Sequence, residues 1–322
     1  MMAPLSLNGG SCYARGGSAV VHMKRPIVYS LILAALFFAA ASTAGGLEIE
    51  GIFGLGNLGF SAARASTDTS FTGADLFWGG KLAIREDITS NIQVETAVQR
   101  DLIAGNSISA LLQYKSDYFR VGMGPYIGLL NSSGSILKSG ISTLLGAELP
   151  GIAFLMLRTD SSLGGQASTS GDYFAQSNRI VLGFYVRDSA ICQFGLWYEQ
   201  FASTPGATEQ VDSLTEYSFD VKVFEKNVPY RLDFNLAYQS LQRQYLGGPT
   251  ETLGSAIVGA GITLILSPEF ALILDFRTSV WSFGADALTG FSDIGVSPFL
   301  FQGSAGFRVT VPDGAPSAGP PP

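Results

Sequence analysis

The chain has one histidine, His22, and two cysteines, Cys12 and Cys192. Charged residues fill only 14% of its 322 positions, against about a quarter in soluble domains. Beyond residue 44 no run reaches about 18 uninterrupted apolar residues, so no helix is expected to span a membrane there. Yet 47% of the residues are hydrophobic and 11% aromatic. The chain is greasy throughout but never greasy for long.

The N-terminus sharpens these shortages. Lys24 and Arg25 precede IVYSLILAALFFAAA, and Ser42-Thr43-Ala44 follow before Gly45. A charged start, a short apolar stretch and small residues make a secretory signal over 23–44, with cleavage expected between Ala44 and Gly45. Residues 1–22 read as an extension ahead of a start at Met23. Cleavage removes His22, Cys12, Arg15, Lys24 and Arg25, leaving 16 basic against 26 acidic residues, a net charge of −10. Without histidine, imidazole-based acid–base chemistry and metal ligation are lost. One thiol cannot close an intramolecular disulfide, and no basic patch suggests a nucleic-acid partner. No cofactor is expected, and no enzyme.

What the chain does have is alternation. In PYRLDFNLAYQS, Tyr230, Leu232, Phe234, Leu236 and Tyr238 alternate with Arg231, Asp233, Asn235, Ala237 and Gln239. Successive strand side chains face opposite ways, so such a stretch has one apolar and one polar face. The same pattern recurs at 74–85, 91–101, 213–225 and 270–281. Short turn signals fall at Glu86-Asp87, Ser116-Asp117, Pro150-Gly151, Asp188-Ser189, Lys226-Asn227 and Pro268-Glu269. Longer polar connections lie between them, near 63–73, 102–107, 131–136, 160–176, 202–212, 243–251 and 283–295. This spacing predicts an all-β, antiparallel, up-and-down transmembrane barrel over 45–311 with about fourteen strands, or twelve if 136–163 holds fewer. There FLMLR breaks the alternation. Residues 312–322 form a Pro-rich tail expected to be disordered. A soluble sandwich would also alternate, but it has no reason to alternate the lengths of its connections.

The apolar face is expected to meet lipid. Trp78, Tyr217, Tyr238 and Trp281 are assigned toward the long connections, and Tyr114, Phe119, Tyr230 and Phe270 toward the short turns, as two interfacial girdles. The polar face becomes the lumen. Its expected pore-lining residues are Asp75, Lys81, Arg85, Glu95, Lys115, Arg120, Arg179, Glu199, Glu216, Asp220, Lys222, Arg231, Asp233, Asp275, Arg277 and Arg308. Lys222 is expected opposite Asp233. The long connections are expected to place Asp68, Asp160, Asp172, Glu209, Asp212, Glu251, Asp286 and Asp293 around an acidic outer mouth that enriches cations. FGLGNLGF has the dinucleotide-binding spacing at Gly54, Gly56 and Gly59, but it lies in a strand with no following helix, where glycines relieve crowding. Cys192 shares its face with Phe194, Leu196 and Tyr198, the place of a small lipid-facing residue.

On this rhythm, these girdles and this leader, residues 47–311 resemble the bacterial outer-membrane β-barrels, and more loosely their monomeric fourteen-stranded porins. The resemblance implies the outer membrane of a diderm bacterium, contact with outer-membrane lipids, and passive diffusion of small hydrophilic solutes; the acidic mouth adds the expectation of a weak cation preference. It also implies delivery by a barrel insertion machinery that reads a terminal aromatic strand. Here that strand is FLFQGSAGFRVTV, followed by PDGAPSAGPPP rather than a final Phe. The long-chain fatty-acid transporters have as many strands but carry an N-terminal hatch, for which 45–46 leave no room. Two alternatives remain: a non-conducting surface or structural barrel, and a transporter of an apolar substrate, toward which inward Phe77 and Phe224 point.

Overall fold

The computed structural model describes residues 46–56, 77–100, 106–129, 137–162, 173–203, 210–225, 228–245, 250–283 and 301–311. The leader, the cleavage site at Ala44 and Gly45, the tail and the connections between these segments lie outside the described residues. Every regular element among the described residues is a strand. In order they are β1 Leu47–Gly56, β2 Phe77–Asp87, β3 Ile92–Arg100, β4 Asn106–Lys115, β5 Phe119–Leu129, β6 Leu137–Leu149 and β7 Ala153–Ser162. β8 Tyr173–Val186, β9 Ala190–Ser203, β10 Gln210–Phe224, β11 Tyr230–Tyr245, β12 Thr250–Ser267, β13 Phe270–Phe283 and β14 Phe301–Val311 complete the chain. Each strand pairs antiparallel with its sequence neighbours, and β1 pairs with β14, from Leu47 opposite Val311 to Gly56 opposite Gln302. The sheet is a closed fourteen-strand barrel.

Shorter and longer connections alternate along most of the chain, as the sequence predicts, although 246–249 between β11 and β12 is shorter than 225–229 between β10 and β11. Two expectations shift. β2 runs through Glu86 and Asp87, so the first turn falls at Ile88–Asn91, where Ile88 N–H donates to the Ile92 carbonyl. The segment 136–163 divides into β6 and β7, and FLMLR does alternate: Leu155 and Leu157 share the outward phase, Phe154, Met156 and Arg158 the inward one. The turn at Lys226-Asn227 lies outside the described residues. At Pro150-Gly151 the chain reverses through Gly151 at φ 72°, a conformation glycine adopts without a Cβ penalty.

The two faces separate cleanly. Leu112 (59% exposed), Met123, Leu145, Phe194, Tyr217, Leu236 and Trp281 all stand on the outer face. Within the described strands, Arg100 and Glu86 are the charged residues in the outward phase, each near a strand end. Cys192 lies on this outer face between Ala190 and Phe194. Trp78, Tyr114, Phe119, Tyr230 and Trp281 sit near strand ends as expected. Tyr217 and Tyr238 instead face each other in mid-strand, because β10 and β11 run further toward the long connections than the sequence suggested. β8 to β13 have 14 to 18 residues, against the 9 to 11 that cross a bilayer at typical tilt.

One corner of the wall is creased. Pro125 in β5 has no N–H to give, and the ladder between β4 and β5 is interrupted at Ala110-Leu111 and Gly124-Pro125. β4 and β6 approach each other across this break. Gly124 permits the approach, since a Cβ there would collide with the Ala110 backbone.

If the outer face meets lipid, an outward charge near mid-strand must cost far more than an inward one. Leu236→Arg is expected to lower stability by about 2–4 kcal/mol in equilibrium refolding into vesicles, and Ala237→Arg by much less.

Candidate functional site: the inner wall

Register fixes which side chains turn inward. Cross-strand rows place Lys81, Arg85, Glu95, Lys115, Arg120, Arg179, Glu199, Glu216, Asp220, Lys222, Arg231, Asp233, Asp275, Arg277 and Arg308 on the inner face. Asp75 lies outside the described residues. Lys222 stands opposite Asp233, as the alternation indicates.

The mouth residues fare differently. Asp160 is in β7, on the inner face opposite Ser142, and Asp212 is buried in β10. Glu251 is in β12, opposite Arg243 of β11. All three were expected in loops; they are in strands because the strands extend beyond their obvious alternation. Asp68, Asp172, Glu209, Asp286 and Asp293 lie outside the described residues.

Two charged groups organise the inner wall. The first joins strands around the seam and the crease. Arg308 of β14 donates to Glu50 of β1 at 2.7 Å, and Arg85 of β2 bonds Glu48. Arg85 Nε donates at 2.8 Å to Glu95 of β3, which is only 4% exposed. Arg158 of β7 then reaches Glu95 with Nη1 at 2.5 Å, Asp160 with Nε at 3.1 Å and the Ser109 hydroxyl with Nη2 at 3.4 Å. Ser142 of β6 donates to Asp160. Near the turn end, Lys115 pairs with Asp87 at 2.6 Å.

The second group lies across β10, β11 and β13. Arg277 Nη2 lies 2.8 Å from Glu216 Oε1, off the line of a hydrogen bond, so the contact is electrostatic. Gln239 donates to Glu216 at 3.2 Å and Asn235 to Asp220 at 2.6 Å. Gln239 Oε1, Asn235 Oδ1 and Arg277 Nε have no hydrogen-bond partner among the described residues. Buried polar atoms of this kind normally find a protein partner or an ordered water.

The two groups divide the wall by charge. Along β14 and β1 to β8, Lys81, Arg85, Lys115, Arg120, Arg158, Arg179 and Arg308 face Glu48, Glu50, Asp87, Glu95, Glu148 and Asp160. Along β9 to β13, Lys222, Arg231 and Arg277 face Glu199, Asp212, Glu216, Asp220, Asp233 and Asp275. Among the described side chains the first arc is near balance and the second is acidic by three.

Two inner features escaped the sequence reading. Arg158 sits behind Phe154 and Met156, which hide the polar phase of β7. Leu214, Leu241 and Leu253 form one cross-strand row on β10, β11 and β12, between polar rows on either side. Leu253 has no solvent exposure. Arg120, Arg179, Lys222 and Arg231, by contrast, are exposed on the same inner wall.

A closed, even-numbered, up-and-down antiparallel barrel, apolar outside and charged inside, has the architecture of a transmembrane β-barrel. No protein-family model matches the chain, and no curated protein matches it. Solved structures with a similar fold include an outer-membrane channel from Pseudomonas putida F1, 6% identical, with 84% of this chain and 96% of that one covered and a TM-score of 0.42. The CymD monoaromatic hydrocarbon channel is 10% identical over 88% and 92% of the two chains, with a TM-score of 0.42. The NanC porin is 9% identical over 82% and 98%, with a TM-score of 0.38. Likeness at this level says nothing about what passes through this barrel.

Glu95 holds two guanidinium groups, so removing its charge should cost more than breaking an exposed pair. Glu95→Ala is expected to cost about 3–5 kcal/mol in vesicle refolding, and Lys115→Ala less than about 1 kcal/mol.

Proposed function

We propose that the protein is an outer-membrane channel that passes small hydrophilic solutes by diffusion, without enzymatic chemistry. The carrying observation is the closed fourteen-strand barrel whose charged residues cluster on the inner wall. Barrels of about 8 strands fill with side chains while those of 16 to 18 leave a channel, so fourteen strands favour a lumen. The exposed inner charges Arg120, Arg179, Lys222 and Arg231 fit polar occupants. The leader residues Lys24 to Ala44 support export, and the apolar exterior supports contact with outer-membrane lipids. An insertion machinery is the further partner this reading requires.

A weak cation preference now rests on a different basis. It comes from the acidic arc of β9 to β13, where the inner wall carries an excess of carboxylates.

A second reading has its own observation. The row Leu214, Leu241 and Leu253 gives the inner wall an apolar band that a purely polar pathway does not need. It favours solutes with an apolar part.

Planar-bilayer recording of residues 45–322 under a salt gradient tests the main reading. Stable conductance steps with a reversal potential favouring cations are expected. Asp220→Asn with Asp233→Asn and Asp275→Asn should move that potential toward zero. A folded, inserted protein that stays silent would sink the channel reading and leave a non-conducting barrel.

A further inference from the structure

β3 and β7 are separated by three strands in the sheet, yet Arg158 connects them directly. A smoothly curved wall would hold them too far apart for one arginine and one glutamate to meet. The crease at β5 brings them together. The register row from Glu95 to Asp160 shows what lies beneath: Gly124 and Ser142 stand in line between them, after Leu111 on β4. Leu111 is 1% exposed and Ser142 is fully buried, although both occupy the inner face of a barrel wall. The corner from β3 to β7 is thus a small dry core folded inside the barrel.

Arg158 is placed to keep it folded. Its three contacts fall on three different strands: Glu95 on β3, Ser109 on β4 and Asp160 on β7. Both carboxylates are fixed from behind, Glu95 by Arg85 and Asp160 by the Ser142 hydroxyl. The guanidinium suits this position because its planar set of donors can serve several acceptors at once. No other ion pair among the described residues links β7 to β3.

We propose that Arg158 sets the cross-section of the lumen: its bridge to Glu95 straps the creased corner shut, and loss of the bridge lets that corner open into the channel. The proposal deepens the channel reading and rests on it for its consequence for permeation, but not for the strap itself. Arg158 is a positioning residue, acting through the wall it holds.

The test uses the full mature chain in lipid, with Leu111→Cys as a reporter on the floor of the corner. Cys192 on the outer wall, changed to Ala, leaves Leu111→Cys as the one thiol. A charged, water-soluble methanethiosulfonate then reads access to the corner, with or without conductance. Arg158→Met alone leaves Asp160 without a cation while Glu95 keeps Arg85, so Arg158→Met with Asp160→Asn removes the bridge without leaving an unpaired carboxylate. The double variant is expected to label roughly tenfold faster than the strapped parent, a shift of about 1.4 kcal/mol toward the open corner. Its single-channel conductance should rise as well. Arg158→Lys, which keeps a charge that reaches Glu95, should label near the parent rate. Unchanged labelling in a folded double variant would overturn the strap. Faster labelling with no current in either protein would uphold the strap and defeat the channel reading.

Discussion

Everything in this molecule depends on backbone hydrogen bonds that have nowhere else to go. Hydrocarbon offers no partner to a free N–H or C=O, so a sheet can cross a bilayer only when its first and last strands meet. The pairing of β1 with β14 is therefore the condition for the rest. It forces alternate side chains to opposite environments along every strand, and it turns a polar half of the sequence into an enclosed wall. The ion pairs, the leucine row and the strapped corner all follow from what that wall must accommodate.

The interior meets two demands that pull apart. A wet lumen tolerates single charges, whereas a dry patch requires each charge to be matched. Around Glu95 the matching is dense, with two arginines on one carboxylate. At Arg179 and Lys222 the charges stand in the open. The same wall thus contains matched charges near the crease and exposed ones beside and beyond it: Arg179 is the cross-strand neighbour of Arg158, and Lys222 lies on β10.

Much of the fold was legible because a period of two is hard to disguise. The stretch from Tyr230 to Gln239 announces its two faces, and the alternation of connection lengths fixes strand number and sense. The limits of the reading have physical causes. Phe154 and Met156 point inward but are apolar, and Phe154 packs over Gly183 and against the Tyr185 ring; polarity therefore ceases to mark direction there and hides Arg158. Leu214, Leu241 and Leu253 sit in the inward phase of well-marked strands, where a leucine looks like an irregularity rather than a row. Asp160, Asp212 and Glu251 looked like loop residues because acidic, glycine-poor strand ends resemble polar connections. Contacts such as Arg158 with Glu95 depend on the crease, and a crease at Pro125 tells nothing about which distant strands it brings together.

The seam has a kinetic meaning as well. Its ion pair joins Glu50 to Arg308, positions 258 apart in the chain, while every other neighbouring pair of strands is consecutive. Thirteen of the fourteen pairings can form by local zipping, and the last must wait for both ends of the sheet to find each other. Loop-closure entropy makes that final encounter the slow one. Until it occurs two open edges face the bilayer, each able to pair with the wrong strand. Glu50 and Arg308, at the meeting point, give the two edges opposite charges and so a means of recognising one another.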